Sequence, residues 1–79
     1  MSAVYDRLVA LMVDVMNMRS EEIAPASTFD ELDFDSLALV ELTLAAQKEF
    51  GISIEDDELA SDFTVAQAAE LIEAKGVTV

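Results

Sequence analysis

Apolar residues at helical spacing are the feature that most constrains the fold of this chain. In three segments they recur every three or four residues, which places one apolar stripe on one face of a helix. The first segment covers residues 3–16, and its stripe consists of Val4, Leu8, Leu11, Met12 and Val15. Only Ile52 and Ile54 alternate with polar residues as in a strand, and no partner strand is evident, so we expect an ordered loop there. The spacing therefore predicts an all-α fold.

Residues that cap helix ends mark the other two main helices. The second helix is predicted over residues 36–50, because Gly51 follows it as a C-terminal stop. The last helix is predicted to begin after Thr64, since Thr64 and Gln67 have the spacing of a capping box, and to end at Gly76. These signals are local, so the predicted bounds do not depend on how the helices pack.

A short helix and a long loop complete the predicted architecture. Residues 56 to about 60 are expected to form the short helix, because their acids favour the positive end of a helix dipole. Residues 17–35 contain the only proline, Pro25, and a loop this long is usually functional or pinned by packing. The candidate pins are Ile23, Phe29 and Leu32. The predicted fold is a small four-helix bundle of three main helices plus one short helix, with a long loop between helices 1 and 2, in one domain over residues 1–79.

Composition excludes several classes of protein. The chain has 79 residues with no cysteine and no histidine, so disulfides, a structural zinc site and the usual side chains of nucleophilic or acid–base catalysis are not expected. A catalytic carboxylate pair needs a sheltered cleft, for which so small a chain has little volume. We therefore expect no enzyme. No apolar run is long enough to span a membrane and no secretory signal is evident, which makes a reducing cytoplasm the default location.

The charge balance indicates which partners the chain can attract. Seventeen acids against four bases give a net charge of −13, which repels nucleic acid and anionic lipid and attracts basic protein surfaces. On the net charge alone, a surface whose acids only confer solubility is the favoured interpretation. The acids are concentrated, however, in two clusters. The clusters are Asp30, Glu31, Asp33 and Asp35, and Glu55, Asp56, Asp57 and Glu58.

The second helix carries two apolar stripes. One, suited to the core, consists of Leu39, Leu42, Thr43, Ala46 and Phe50. The other consists of Leu37, Val40 and Leu44, with Lys48 in line and Glu41 beside it. A bundle of this size cannot easily surround one helix, so the second stripe is either an exposed docking surface or is covered by the 17–35 loop. Periodicity leaves both possibilities open.

Ser36 lies where an acidic loop becomes the second helix. A helix N-terminus has unpaired N–H groups and a partial positive charge, so a phosphate attached to this hydroxyl would be favoured there. Ser or Asp at such a position is commonly an N-cap and nothing more. For the Asp35–Ser36 pair by itself, capping is the better interpretation.

The wider pattern around Ser36 resembles the acyl carrier protein family. The matching segments are residues 29–42, residues 49–54 with the acids after them, and residues 64–69, and Glu21-Glu22-Ile23 with Pro25 resembles the loop after the first helix. They cover most of the chain with similar spacings. Asp35-Ser36-Leu37 alone would be a weak motif, whereas this ordered set is specific.

The resemblance implies a carrier that catalyses nothing itself. In the family, a phosphopantetheinyl transferase moves 4′-phosphopantetheine from coenzyme A onto the serine that matches Ser36, which makes the chain a phosphoprotein. The thiol of the arm holds acyl groups as thioesters and presents them to ketosynthase, acyltransferase and other acyl-processing enzymes. Asp35 matches the acid that supports the modification. The implied partner-binding residues are Leu37, Val40, Glu41 and Leu44, with Glu55, Asp56, Asp57 and Glu58 facing basic partner surfaces. A monomer is expected.

The chain departs from the family pattern near Ser36 and on the second helix. The glycine usual before the serine is missing, and Asp33 and Phe34 occupy the link, so Phe34 is expected beside the arm, where it could shape the path of a bound chain. Ala38, Gln47 and Lys48 replace positions that are often acidic in fatty-acid carriers. We therefore expect partners to be selected more by apolar contact.

Several functional alternatives remain at this point. Residues 36–41 look most like the discrete carriers of bacterial polyketide pathways, which include antibiotic biosynthesis, and a housekeeping fatty-acid carrier is the close alternative. Peptidyl carriers commonly have a Gly-Gly pair before the serine, whereas this chain has Asp-Ser-Leu with acidic neighbours, which favours an acyl carrier. The alternative from another class is an acidic helical interaction module without a prosthetic group. A calcium-binding EF-hand is rejected, because residues 30–41 lack its ligand spacing and its glycine.

Overall fold

The computed structural model describes residues 3–55 and 57–76. These residues form three α-helices, with a short 3-10 helix in the first connection. The α-helices are α1 (Ala3–Val15), α2 (Ser36–Phe50) and α3 (Val65–Ala74), and the 3-10 helix is Ser20–Glu22. The predicted all-α class is confirmed. None of the described helices is both long enough and apolar enough to cross a lipid bilayer.

Local capping sets the bounds of α2 and α3, as predicted. Gly51 ends α2 in the left-handed region at φ 65°, and its N–H donates to the carbonyl of Gln47. At the start of α3, the Gln67 N–H donates to Thr64 Oγ1 at 3.0 Å, and the Thr64 N–H donates to Gln67 Oε1 at 2.8 Å. This reciprocal pair is a capping box.

The short helix predicted over residues 56 to about 60 is wrong for the part of that stretch that the structure describes. Residue 56 lies outside the described residues, residues 57–59 form turns and a bend, and residue 60 has no regular structure. The Glu58 N–H donates to the Glu55 carbonyl at 3.1 Å, while Glu58 Oε1 accepts the Glu55 N–H at 2.7 Å. The Glu58 side chain thus bonds the backbone of its own turn, and the helix does not continue. The short helical piece of the described chain is Ser20–Glu22 instead.

The core is built around α1, which packs against both α2 and α3. The largest fully buried side chains of the core are Phe29, Leu8, Met12, Leu42, Ile72, Val65 and Thr43. The predicted core face of α2 is confirmed, with Leu39 half-buried and the other four members buried. Val15 was predicted to share the core stripe of α1 but is 47% exposed, because it is the last residue of the helix.

The long loop between α1 and α2 is pinned in two ways. Two of the predicted pins, Ile23 and Phe29, are buried, and Leu32 is partly buried against the core. The backbone of the loop is also bonded to the segment before α3. These hydrogen bonds run from Phe29 N–H to the Phe63 carbonyl (3.1 Å), from Asp30 N–H to the Ser61 carbonyl (2.8 Å) and from Val65 N–H to the Ser27 carbonyl (2.9 Å). The loop that leads to Ser36 is therefore held by a segment distant in sequence.

Candidate functional site

Ser36 is the first residue of α2 and is exposed to solvent. The N-cap is Asp35, whose Oδ1 accepts the N–H of Ala38 at 2.8 Å. The Ser36 hydroxyl makes no hydrogen bond with any residue that the structure describes. Of the two candidate caps, the fold uses Asp35, and the hydroxyl of Ser36 is left available.

A closed turn delivers the chain into α2. Asp33 has φ 63°, in the left-handed region that favours glycine, and the Phe34 N–H donates to the Phe29 carbonyl at 3.0 Å. Glu31 Oε1 accepts the Thr28 N–H at 2.9 Å, and Thr28 Oγ1 accepts the Glu31 N–H at 3.1 Å. The pairing of Thr28 with Glu31 was not predicted, although its spacing is that of a capping box. Asp33 therefore takes the conformational role that the missing glycine would fill.

Phe34 points into the core. Its side chain is buried, and its ring centroid lies 5.3 Å from that of Phe29 with the planes tilted by 59°. Such a tilted contact is favourable for aromatic rings. Phe34 was expected beside the arm, where it could shape the path of a bound chain, but its ring does not lie on the surface next to Ser36, because the turn at Asp33 directs it inward to Phe29. The aromatic pair instead anchors the link that precedes Ser36.

The second stripe of α2 is exposed. Leu37, Val40 and Leu44 are 65%, 37% and 57% exposed, respectively. We call these three residues the docking stripe. Glu41 and Lys48 are exposed with it. The 17–35 loop does not cover the stripe, because its pins are in the core and its backbone is bonded near residues 61–65. Of the two possibilities left by periodicity, the structure shows exposure.

The acidic cluster before α2 contains two kinds of side chain. Glu31 and Asp35 bond backbone N–H groups, as described above. Asp30 and Asp33 are exposed and form no side-chain hydrogen bond or ion pair with a described residue. Half of this cluster therefore builds the turn, and the other half contributes only surface charge.

The cluster at residues 55–58 is divided in the same way. Glu55 and Asp57 are exposed, and Asp56 lies outside the described residues. Glu58 is half-buried, and its Oε2 lies 2.9 Å from the Nζ of Lys75 after α3. The backbone N–H of Glu55, and then the hydrogen bond from Lys75, hold the pKa of the Glu58 carboxyl below its ordinary value. Glu58 thus fastens this loop to the end of α3.

A surface groove of about 190 Å³ lies between α1 and the end of α2 distant from Ser36. It is lined by Arg7, Ala10, Leu11, Asp14 and Glu49, and Arg7 forms an ion pair with Glu49 across it. It contains none of the predicted site residues. Within residues 3–55 and 57–76, no group of three or more acidic side chains is arranged to hold a metal ion.

Comparison with known proteins shows which family of proteins the chain belongs to. The family model described as "Phosphopantetheine attachment site" matches residues 6–72, which include Ser36 and all of α2. The acyl carrier protein of Petrotoga mobilis is 39% identical over 72 residues, which is 90% of this chain and 85% of that protein. Acyl carrier protein AcpP of Rhizobium meliloti is 36% identical over 74 residues, covering 92% of this chain and 95% of that protein. The acyl carrier protein of Thermobifida fusca is 35% identical over 71 residues, 89% of this chain and 90% of its own length.

These matches extend over nearly the whole chain at 35–39% identity, and the chain belongs to the acyl carrier protein family. It carries a covalently attached 4′-phosphopantetheine and tethers acyl groups on it. It is a carrier and not a catalyst, and it interacts with a phosphopantetheinyl transferase and with acyl-processing enzymes. The alternative of an interaction module without a prosthetic group is thereby excluded.

Proposed function

We propose that Ser36 bears the 4′-phosphopantetheine arm. The observation that carries this assignment is the free, exposed hydroxyl at the first position of α2, with capping performed by Asp35. The hydroxyl oxygen can form the phosphodiester bond without loss of a helix cap. The positive end of the α2 dipole favours the phosphate at this position. When bound, the group supplies a thiol that this cysteine-free chain lacks.

Asp35 supports the modification in this proposal. Its Oδ1 accepts the Ala38 N–H, whereas its Oδ2 has no hydrogen bond to a described residue. One carboxylate oxygen can therefore hold the helix start while the other contacts the transferase or its metal ion. The carboxylate is adjacent in sequence to the hydroxyl that is modified.

The test of the attachment site is an intact-mass measurement. The chain is incubated with coenzyme A and a broad-specificity phosphopantetheinyl transferase, and we expect a gain of one pantetheine phosphate unit. Ser36→Ala should gain none, and the matched control Ser53→Ala, at another exposed serine, should gain as much as wild type. Modification of Ser36→Ala would refute the assignment, as would an unmodified wild type beside a control carrier that reacts.

We also propose that the docking stripe and Glu41 face the ketosynthase, the acyltransferase and the other acyl-processing enzymes. The exposure of three large apolar side chains next to Ser36 supports this proposal. The acids Glu55, Asp56, Asp57 and Glu58 are proposed to attract basic partner surfaces, although Glu58 is already paired with Lys75. Leu44→Ala should raise the KM of the carrier with a ketosynthase. Val15→Ala removes an exposed apolar side chain outside the stripe and should leave the KM unchanged.

The pathway we propose is bacterial polyketide biosynthesis, with fatty-acid biosynthesis as the second candidate. The apolar docking stripe and the non-acidic Ala38, Gln47 and Lys48 favour the first. The generic names of the relatives are compatible with both. The mass of the carrier isolated from its host, with the intermediate attached, separates them. Two or more unreduced keto groups along the chain indicate a polyketide, because a chain reduced after every condensation carries at most one, whereas a long saturated chain would reject that pathway.

The carrier is further proposed to act as a monomeric single domain in the cytoplasm. The net charge of −13 supports the monomer through repulsion between copies, and it disfavours contact with nucleic acid or anionic lipid. Sedimentation at physiological salt should give one monomeric species. A concentration-dependent dimer would refute the monomer.

A further inference from the structure

One base of this acidic chain has no partner within the described fold. The chain has four bases, of which three form ion pairs. The pairs are Arg7–Glu49, Arg19–Glu21 and Lys75–Glu58. Lys48 is exposed and forms no ion pair or hydrogen bond with any described residue.

Helical spacing explains why Lys48 is unpaired. Side chains three and four residues apart are neighbours on a helix surface. The residues at those distances from Lys48 are Leu44, Ala45, Gly51 and Ile52, none of which is acidic. Glu49 is adjacent in sequence but is engaged by Arg7. The local sequence thus leaves this ammonium free in a chain with 17 acids.

Glu41 is the matching unpaired acid on the same side of α2. Its neighbours at three and four residues are Leu37, Ala38, Leu44 and Ala45, and it too forms no ion pair with a described residue. Lys48 is seven positions after Glu41, which is about 10 Å along a helix axis. At that distance the two charges cannot pair with each other, and salt screens much of their attraction.

The docking stripe therefore has a polarity along its length. Glu41 gives it a negative charge on the side of Ser36, and Lys48 gives it a positive charge one turn beyond Leu44. The exposed apolar side chains lie on the same face as these two charges. A partner surface complementary to this face has pockets for Leu37 and Val40, then a cation opposite Glu41, a pocket for Leu44 and a carboxylate opposite Lys48.

We propose that Lys48 is a docking residue that pairs with a carboxylate on the acyl-processing enzyme. The inference rests on the proposed role of α2 as the partner face. The two opposite charges fix the direction in which α2 lies on the enzyme, because the reversed direction would place like charges together. In the fixed direction, the Ser36 end of α2 is always at the same end of the enzyme's docking surface.

A structural role for Lys48 makes a different prediction. Lys48 is in the last turn of α2, where a cation interacts favourably with the negative end of the helix dipole. If that were its only role, substitution would change the free energy of unfolding and leave partner kinetics unchanged. Partner kinetics and unfolding must therefore be measured on the same variants.

The first experiment uses a ketosynthase purified from the host by its activity with the wild-type carrier loaded with its arm. Lys48→Gln should raise the KM for the carrier about threefold and Lys48→Glu about tenfold, with kcat nearly unchanged. Both effects should diminish as salt is added. The control Arg19→Glu changes the net charge by the same amount at an exposed position outside α2 and should change the KM less than about twofold.

The second experiment locates the contact directly. A carbodiimide joins an amine and a carboxylate that are already in contact into an amide, with the loss of water. In the carrier–ketosynthase mixture, mass spectrometry should find Lys48 joined to an Asp or Glu of the enzyme. The internal Lys75–Glu58 pair serves as the positive control. Crosslinks from Glu41 to enzyme lysines with none from Lys48 would overturn the proposal.

The outcomes separate the failures of the different proposals. If Leu44→Ala raises the KM and Lys48→Glu leaves it unchanged or lowers it, the inference about Lys48 is overturned and the partner face stands. If neither variant changes the KM, the partner face is overturned together with this inference. Failure of the wild-type chain to accept the arm would refute the Ser36 assignment before any docking is measured.

Discussion

The two faces of α2 have similar side chains and opposite environments. Leu42 is fully buried, whereas Leu44, two residues later, is 57% exposed. The buried face holds the helix against the bundle, and the exposed face is free because the loop before α2 is bonded elsewhere. The difference teaches that one helix can stabilise the bundle with one face and leave the other exposed to solvent, simply by the direction in which its side chains point.

The acids show the same division between internal and external use. Asp35 and Glu58 bond groups within the fold, whereas Glu41 has no ion pair with a described residue. The net charge of −13 therefore does not measure the charge available to partners. The following predictions test which side chains serve the fold and which are free.

The largest expected effect is a difference in the free energy of unfolding between variants at Leu42 and Leu44. Leu42→Ala should lower the free energy of unfolding by about 2–5 kcal/mol, because it opens a cavity in the core. Leu44→Ala should change it by less than about 0.5 kcal/mol, because the side chain is already solvated. Urea unfolding followed by circular dichroism measures both. Equal losses for the two variants would show that the exposed stripe also serves the fold.

The next largest effect is expected at Asp35, the N-cap of α2. Asp35→Ala should lower the free energy of unfolding by about 1 kcal/mol, because the Ala38 N–H loses its acceptor. Asp35→Asn should retain the cap and most of the stability. Both variants should slow modification by the transferase if the carboxylate contributes to it. Transfer to Asp35→Asn at the wild-type rate would show that the residue acts only as a cap.

Effects of about 1 kcal/mol or less are expected at the two left-handed residues that flank α2. Asp33 and Gly51 have φ of 63° and 65°. Asp33→Gly should raise the free energy of unfolding by about 0.5 kcal/mol, since relief of strain exceeds the added chain entropy. Gly51→Ala should lower it by about 1 kcal/mol, although its added Cβ meets nothing within 4 Å. A loss of stability in Asp33→Gly would mean that the aspartate side chain favours this turn.

The smallest expected effect is a pH dependence at Glu58. The bonds from Glu55 N–H and Lys75 place its folded pKa below the ordinary value of 4.5. The folded state therefore binds this proton less tightly than the unfolded state, so the stabilisation is present above pH 4.5 and is lost as the pH falls through the folded pKa. Glu58→Gln should flatten this part of the curve of unfolding free energy against pH. Glu55→Gln, at an exposed acid of the same cluster, is the control. Identical curves for Glu58→Gln and wild type would refute the contribution.

Local sequence signals determined much of the fold. The glycine at position 51 ends α2, and the Thr64–Gln67 capping box starts α3, because each acts through the backbone within a few residues. Helical spacing identified the core face of α2 correctly for the same reason. The resemblance carried by the segments around Ser36 predicted the family, which the comparisons confirm.

Only the tertiary structure decided which side chains are exposed and unpaired. Exposure of the docking stripe depends on hydrogen bonds such as Asp30 N–H to the Ser61 carbonyl, which join segments 31 residues apart in sequence. The inward ring of Phe34 and the internal pairing of Glu58 with Lys75 depend on similarly non-local packing. The sequence alone determined the three α-helices and the candidate serine, because caps and periodicity act locally. Whether a second apolar face is covered or exposed, and whether a loop side chain points inward, is settled only when distant segments meet.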